Sequence, residues 1–157
     1  MDGYDTLIET LNRFERSLDS ATPITTVAEL AQTSGYSAHH FSRLFYSHTA
    51  LHLKEYLQGR LLTSLMMEAA RCDISFAVLA SRYGFRDYET FYRACKNRWN
   101  KNPSRMRERG LGDEEKQERI HPRRKETSCI LAGELVHKEA FTLCGLNFFL
   151  GPETKTF

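Results

Sequence analysis

The chain carries one helical pattern twice. Residues 27–45 read VAELAQTSGYSAHHFSRLF, and residues 76–95 read FAVLASRYGFRDYETFYRAC. At an offset of 49 residues Ala28 falls on Ala77, Leu30 on Leu79, Ala31 on Ala80, and Gly35-Tyr36 on Gly84-Phe85. Past the glycine the offset becomes 50, so that Phe41 falls on Phe91 and Arg43 on Arg93. A slip of one residue just beyond a glycine is where a loop accepts an insertion. Each copy is an apolar helix, a glycine turn and a second helix behind a capping residue, the pattern of a helix-turn-helix. Two copies are too few for a stacked solenoid. The repeat therefore predicts an all-α fold with two helix-turn-helix subdomains and points to a DNA reader with two heads.

The rest of the pattern fits around the repeat. Tyr4, Leu7, Ile8, Leu11, Phe14 and Leu18 recur at helical spacing and predict an amphipathic helix over 3–19, which Pro23 prevents from continuing. Thr26 caps the next helix, and Glu29 completes a capping box three residues on. Ser37 caps a helix over 38–48 with Phe41, Leu44 and Phe45 inward. A long helix over 52–72 joins the repeats; at 1.5 Å per residue it spans about 30 Å, close to one DNA turn of about 34 Å. Ser75 and Asp87 cap the helices of the second copy, the latter over 88–98 with Phe91, Cys95 and Trp99 inward. Pro103 opens a last short helix over 104–109, at the position where its missing N–H costs nothing.

Beyond Gly110 the character changes. Residues 110–128 are polar with near-balanced charge and read as a linker. Residues 129–157 are apolar, β-branched and aromatic, and predict one or two strands near 130–137 and 141–150. A lone hairpin is marginal in water, so this short β tail reads as a fragment.

The net charge is only +2, but it is unevenly placed. Residues 86–109 hold Arg86, Arg93, Lys96, Arg98, Lys101, Arg105, Arg107 and Arg109 against Asp87, Glu89 and Glu108, a local excess of five positive charges. A charge run alone is usually a solvated helical face; its coincidence with the second copy favours nucleic acid.

Other chemistries find little support. No Ser–His–acid arrangement, phosphate-cradling glycine loop or carboxylate pair stands out, so no enzyme is expected. Cys72, Cys95, Cys129 and Cys144 form no C-x-x-C pair, and Cys95 falls on an apolar stripe as a small core residue. His48 and His52 are spaced i,i+4, but Thr49-Ala50 between them breaks the helix; neither metal nor cofactor is expected. The start, MDGYDTLIET, has neither a basic opening nor a long apolar core, and no run spans a bilayer. A cytoplasmic, nucleoid-associated bacterial protein without membrane contact is the expectation.

Residues 5–109 resemble the DNA-binding domain of the AraC/XylS transcription regulators. The resemblance rests on LAQTSGYSAHHFSRLF, on the linker EYLQGRLLTSLMM, and on ISFAVLASRYGF with FYRACKNRWNKNPSRMR. It departs from the family where Thr49-Ala50 replaces a glycine turn, Cys95 a phenylalanine, Asn100 a glycine and Met106 the closing tyrosine. The tail ELVHKEAFTLCGLNFFLGPET resembles only the opening strand of a GyrI-like small-molecule-binding domain, so no effector ligand is expected.

The resemblance implies a sequence-specific regulator, an activator acting as a monomer, with double-stranded DNA as partner and RNA polymerase as a candidate second one. It implies base reading by positions matching His39, Ser42 and Arg43 in the first head, and Tyr88, Glu89, Tyr92 and Arg93 in the second. Arginine at the equivalent place on both polar faces fits readout of guanine, while Glu89 departs from a neutral amide and either accepts from cytosine or simply repels phosphate. Ser37, Tyr46, Thr90, Lys96 and Arg98 are assigned to phosphates, which position without specifying. The competing expectation is a helical protein–protein adaptor, or a regulator that has lost DNA binding; salt-dependent DNA affinity separates it from a reader.

Overall fold

Seven α-helices account for most of residues 3–124, the part of the chain that the computed structural model describes. They are α1 (Gly3–Ser17), α2 (Val27–Ser34), α3 (Ala38–Thr49), α4 (Leu53–Arg71), α5 (Phe76–Arg82), α6 (Tyr88–Trp99) and α7 (Pro103–Arg109). A single 3-10 turn follows at Asp113–Glu115. The strands expected near 130–137 and 141–150 and the last part of the expected linker lie outside the described residues.

The helix starts are set by side chains. Thr26 accepts from the Glu29 N–H, and the Glu29 carboxylate reaches back to the Thr26 N–H, so the capping box of α2 is complete. Ser37, Ser75 and Asp87 each accept from a backbone N–H three residues on, at the starts of α3, α5 and α6. Pro103 occupies the first turn of α7 behind the Asn102 cap. Helix ends repeat as well: Gly35 and Gly84 both take positive φ, and so do Ala50 and Asn100, the C-caps of α3 and α6.

The core is continuous through α4. Leu7, Leu11 and Phe14 of α1 meet Leu30, Phe41 and Phe45 of the first head, while Leu79, Ala80 and Phe91 of the second close on the far part of α4. Buried residues occur all round α4, which reads as an axle between the heads. Two matched polar clusters tie neighbours to it. Glu15 of α1 accepts from Tyr56 and Arg60 of α4; Glu68 of α4 accepts from Arg82 of α5 and from Tyr83, which caps it. Both tyrosine hydroxyls are pushed above their usual range, by burial first and also by the carboxylate each donates to.

The stretch expected to be a free polar linker is, over 110–124, a strap held along the helices. Trp99 Nε1 donates to the Glu115 carbonyl at 2.9 Å, and Arg60 donates to the Gln117 carbonyl at 2.6 Å. The Gln117 and Ile120 N–H groups donate to the Thr63 and Tyr56 hydroxyls. Tyr4 then donates to the Pro122 carbonyl at 2.9 Å. Glu115 is 8% exposed, with Lys101, Arg109 and the Gly112 N–H on its carboxylate. A polar composition did not prevent docking, because the strap binds chiefly through its backbone and one clamped acid. The described residues accordingly belong to one compact unit.

Candidate nucleic-acid interface

Each head presents the outer face of its second helix, and the two faces match in burial from Phe41 to Phe45 and from Phe91 to Cys95. Phe41 and Phe45 of α3 are fully buried, as are Phe91 and Cys95 of α6. Ser42 and Tyr92 are half-buried, Arg43 and Arg93 exposed. Burial pushes the Cys95 thiol up to about 12, so it stays protonated as a core group.

The expected base readers fall together on these faces. His39, Arg43, Glu89 and Arg93 are exposed and make no hydrogen bond or ion pair among the described residues. Exposed cations that the protein leaves unpaired are available to a polyanion. Ser42 donates its hydroxyl to the Ala38 carbonyl at 2.7 Å and keeps its lone pairs for a ligand. Tyr46, 51% exposed, stacks on His52 at a centroid distance of 5.3 Å. Tyr88, 39% exposed, packs near Phe76 and Tyr92 at the rim.

The residues expected at phosphates divide. Ser37 and Thr90 stand in the first turns of α3 and α6, where unpaired N–H groups and the helix dipole favour an anion. Asp87, capping α6, is held at about 2 by the Thr90 hydroxyl and N–H and then by Arg86, so it stays ionised. Lys96 is half-buried on α6 and has no hydrogen-bond or ion-pair partner among the described residues. Arg98 does not join it. Five residues after Arg93, it lies about 140° further round the helix. There it donates to Gln117 of the strap at 2.8 Å and lies across α4, within 2.9 Å of where a Cβ on Gly59 would be. The absence of a Cβ at Gly59 leaves room for that guanidinium. Arg98 thus faces the strap, while remaining exposed to solvent.

The basic run of 86–109 resolves in the same way. Arg86 pairs with Asp87, Lys101 and Arg109 with Glu115, and Arg107 with Asp73 and the Cys72 carbonyl. Arg93, Lys96 and Arg105 remain unpaired among the described residues. Arg105 shares a recess with Lys96, Asn100 and Asn102, and sequence reasoning had not singled it out. Its signal was present in the charge run, but only the fold shows which cations are already neutralised.

The expected break between His48 and His52 is present: α3 stops at Thr49 and α4 starts at Leu53. His48 Nδ1 instead lies 3.0 Å from the Arg123 carbonyl of the strap. No helix among the described residues is long and apolar enough to cross a membrane.

Comparison with known proteins gives this frame its family. A model described as "Helix-turn-helix domain" matches residues 30–109, half of the chain. The probable transcription factor PqrA of Proteus vulgaris is 35% identical over 81 residues, which are 52% of this chain and 66% of that protein. The multiple antibiotic resistance protein MarA is 30% identical over 102 residues in both Salmonella typhimurium and Escherichia coli, covering 65% of this chain and 78% of MarA. The doubled motif, the αL caps and these relatives lead to one conclusion: the chain belongs to the AraC/XylS family of helix-turn-helix, DNA-binding transcription regulators.

Proposed function

We propose that the chain binds an asymmetric site of about 20 bp as a monomer, with α3 and α6 entering successive major grooves on one side of the duplex. The observation that carries this is the matched pair Arg43 and Arg93, exposed at equivalent places and left without protein partners among the described residues. The 19 residues of α4 span about 28 Å, which suits heads about one turn apart. Arg43 and Arg93 read guanine, Glu89 accepts from cytosine, and His39, Ser42, Tyr88 and Tyr92 contact neighbouring base edges. Ser37, Tyr46, Thr90, Lys96 and the newly recognised Arg105 hold phosphates. In this reading residues 5–109 are the DNA-binding domain and 110–124 the strap that braces it. The family resemblance favours an activator that works beside RNA polymerase in the bacterial cytoplasm.

The test is selection of a bound site from a random DNA library, followed by sedimentation of the complex at low micromolar protein. One chain per minimal site is the expected result. Two chains per site, or no enriched sequence, would overturn the proposal.

A further inference from the structure

A cavity of about 440 Å³ lies between the two heads, over α4. That size is within the range of small-molecule sites, about 300–1,000 Å³. Val27 of the first head, Leu57 and Leu61 of α4, and Phe85 and Ala94 of the second give it an apolar lining. Its polar lining groups are almost all satisfied within the protein. Thr26 accepts from the Glu29 N–H, Thr25 and Thr90 donate to Glu29 and Asp87, and Tyr83 donates to Glu68. Two remain: Lys54 and Gln58, exposed at the rim, one turn apart on α4, with no bond among the described residues. One ammonium and one amide beside an apolar recess match a single negative charge on an apolar body. They do not match a polyanion, which would need several cations and would be excluded by the lining.

We propose that this inter-head groove binds a small amphipathic carboxylic acid, aromatic or medium-chain aliphatic. The carboxylate sits on Lys54 and Gln58, and the apolar end lies over Leu57, Leu61 and Phe85. The groove touches both heads, and its Thr90 and Ala94 stand on α6, so an occupant is placed to couple to DNA affinity by whatever difference it senses in head placement. The site needs nothing from residues beyond 124, and its occupancy does not rest on the DNA-reading assignments.

The test uses the full chain without DNA, titrated calorimetrically with 2-naphthoate and with decanoate. Their alcohols, 2-naphthylmethanol and decanol, serve as neutral partners. Saturable one-to-one binding of the acids is expected, about tenfold or more tighter than the alcohols. Lys54→Met should erase that preference while leaving the alcohols unchanged, and Ala94→Leu should abolish binding of both by filling the recess. Lys54 is exposed, so its variant decides the question even if Ala94→Leu fails to fold. Absence of saturable binding up to about 5 mM, equal binding of acids and alcohols, or an unchanged Lys54→Met would each overturn the proposal.

Discussion

Gly35 ends the first helix of the first head and faces open space, with nothing within 4 Å of where a Cβ would be. Its counterpart Gly84 has almost the same backbone, φ 79° against 73°, but a Cβ there would fall 2.5 Å from Thr25 Cβ. The same turn is thus a local device in one head and part of the seam between heads in the other. The polar faces diverge as well. The first head offers His39, Ser42, Arg43 and Tyr46, with one arginine; the second offers Glu89, Tyr92, Arg93 and Lys96, with Arg105 beside them. A helix-turn-helix frame is specified by a few caps, a small residue and an αL position. What surrounds the frame is free to specialise.

The largest break in this symmetry should appear at the two glycines. Either alanine would have to adopt a left-handed backbone, at a cost of about 1 kcal/mol. Gly84→Ala also drives a methyl into Thr25, so its total loss should reach about 2–4 kcal/mol. Denaturant unfolding of both variants measures the difference. Equal losses would mean that the seam is soft and the heads are not locked together.

The strap supplies the next test, because it grips both heads at equivalent places. His48 and Arg98 occupy matching positions in the last turns of α3 and α6, and each contacts it. A chain ending at Gly110 should be less stable than one ending at Lys125 by about 2–3 kcal/mol, from several lost hydrogen bonds. Part of that gap is ionic. Lys101 first, then the Gly112 N–H and Arg109, hold the Glu115 carboxyl at about 2 against an ordinary 4.5. Its contribution is complete above about pH 4.5 and is lost as the pH falls towards 2, so the gap between the two chains should narrow in acid. A gap that stays constant from pH 7 to about pH 2.5 would remove Glu115 from the account.

At the interface, Arg43→Ala and Arg93→Ala should each weaken cognate binding by about 1–3 kcal/mol and relax specificity at one position. Lys96→Ala and Arg105→Ala should weaken all sequences alike, each lowering the salt slope by about one unit. Arg98→Ala should leave that slope unchanged, since its guanidinium is held by Gln117 and α4. A slope change at Arg98 equal to that at Lys96 would mean that it swings over to DNA and that its contact with Gln117 belongs only to the free protein.

These contrasts show what could be read from residues alone. The caps at Thr26, Ser37, Ser75 and Asp87 were legible because short polar side chains announce them, and the paired αL glycines because little else fits there. The strap was not legible, since it docks through carbonyls of Glu115, Gln117 and Pro122 that carry no residue-type signal. The contact of Arg98 with the strap was not legible either, because a count of charges ignores direction, and five residues move a side chain well round a helix. Arg105 was overlooked for the converse reason: its distinction is to lack a partner where its neighbours have one.

The smallest expected effect lies at the second pair of left-handed residues. Ala50 and Asn100 end α3 and α6 with φ 57° and 52°. Asparagine tolerates this region through local polar contacts of its side chain, whereas alanine has only the steric clash of its Cβ. The two heads thus close the same turn with unequal strain. Ala50→Gly should relieve the clash and offset part of that gain through a more flexible unfolded chain, for a net stabilisation of up to about 1 kcal/mol. Asn100→Gly should gain only a few tenths, on the order of 0.3 kcal/mol. Both sites lie in connections and carry no base-reading assignment, so affinity at a cognate site should not move. Thermal unfolding of the two variants beside the parent chain resolves the ranking. If Asn100→Gly stabilises more than Ala50→Gly, side-chain identity does not set the strain at these caps, and the packing of each head against α4 and α7 must do so instead.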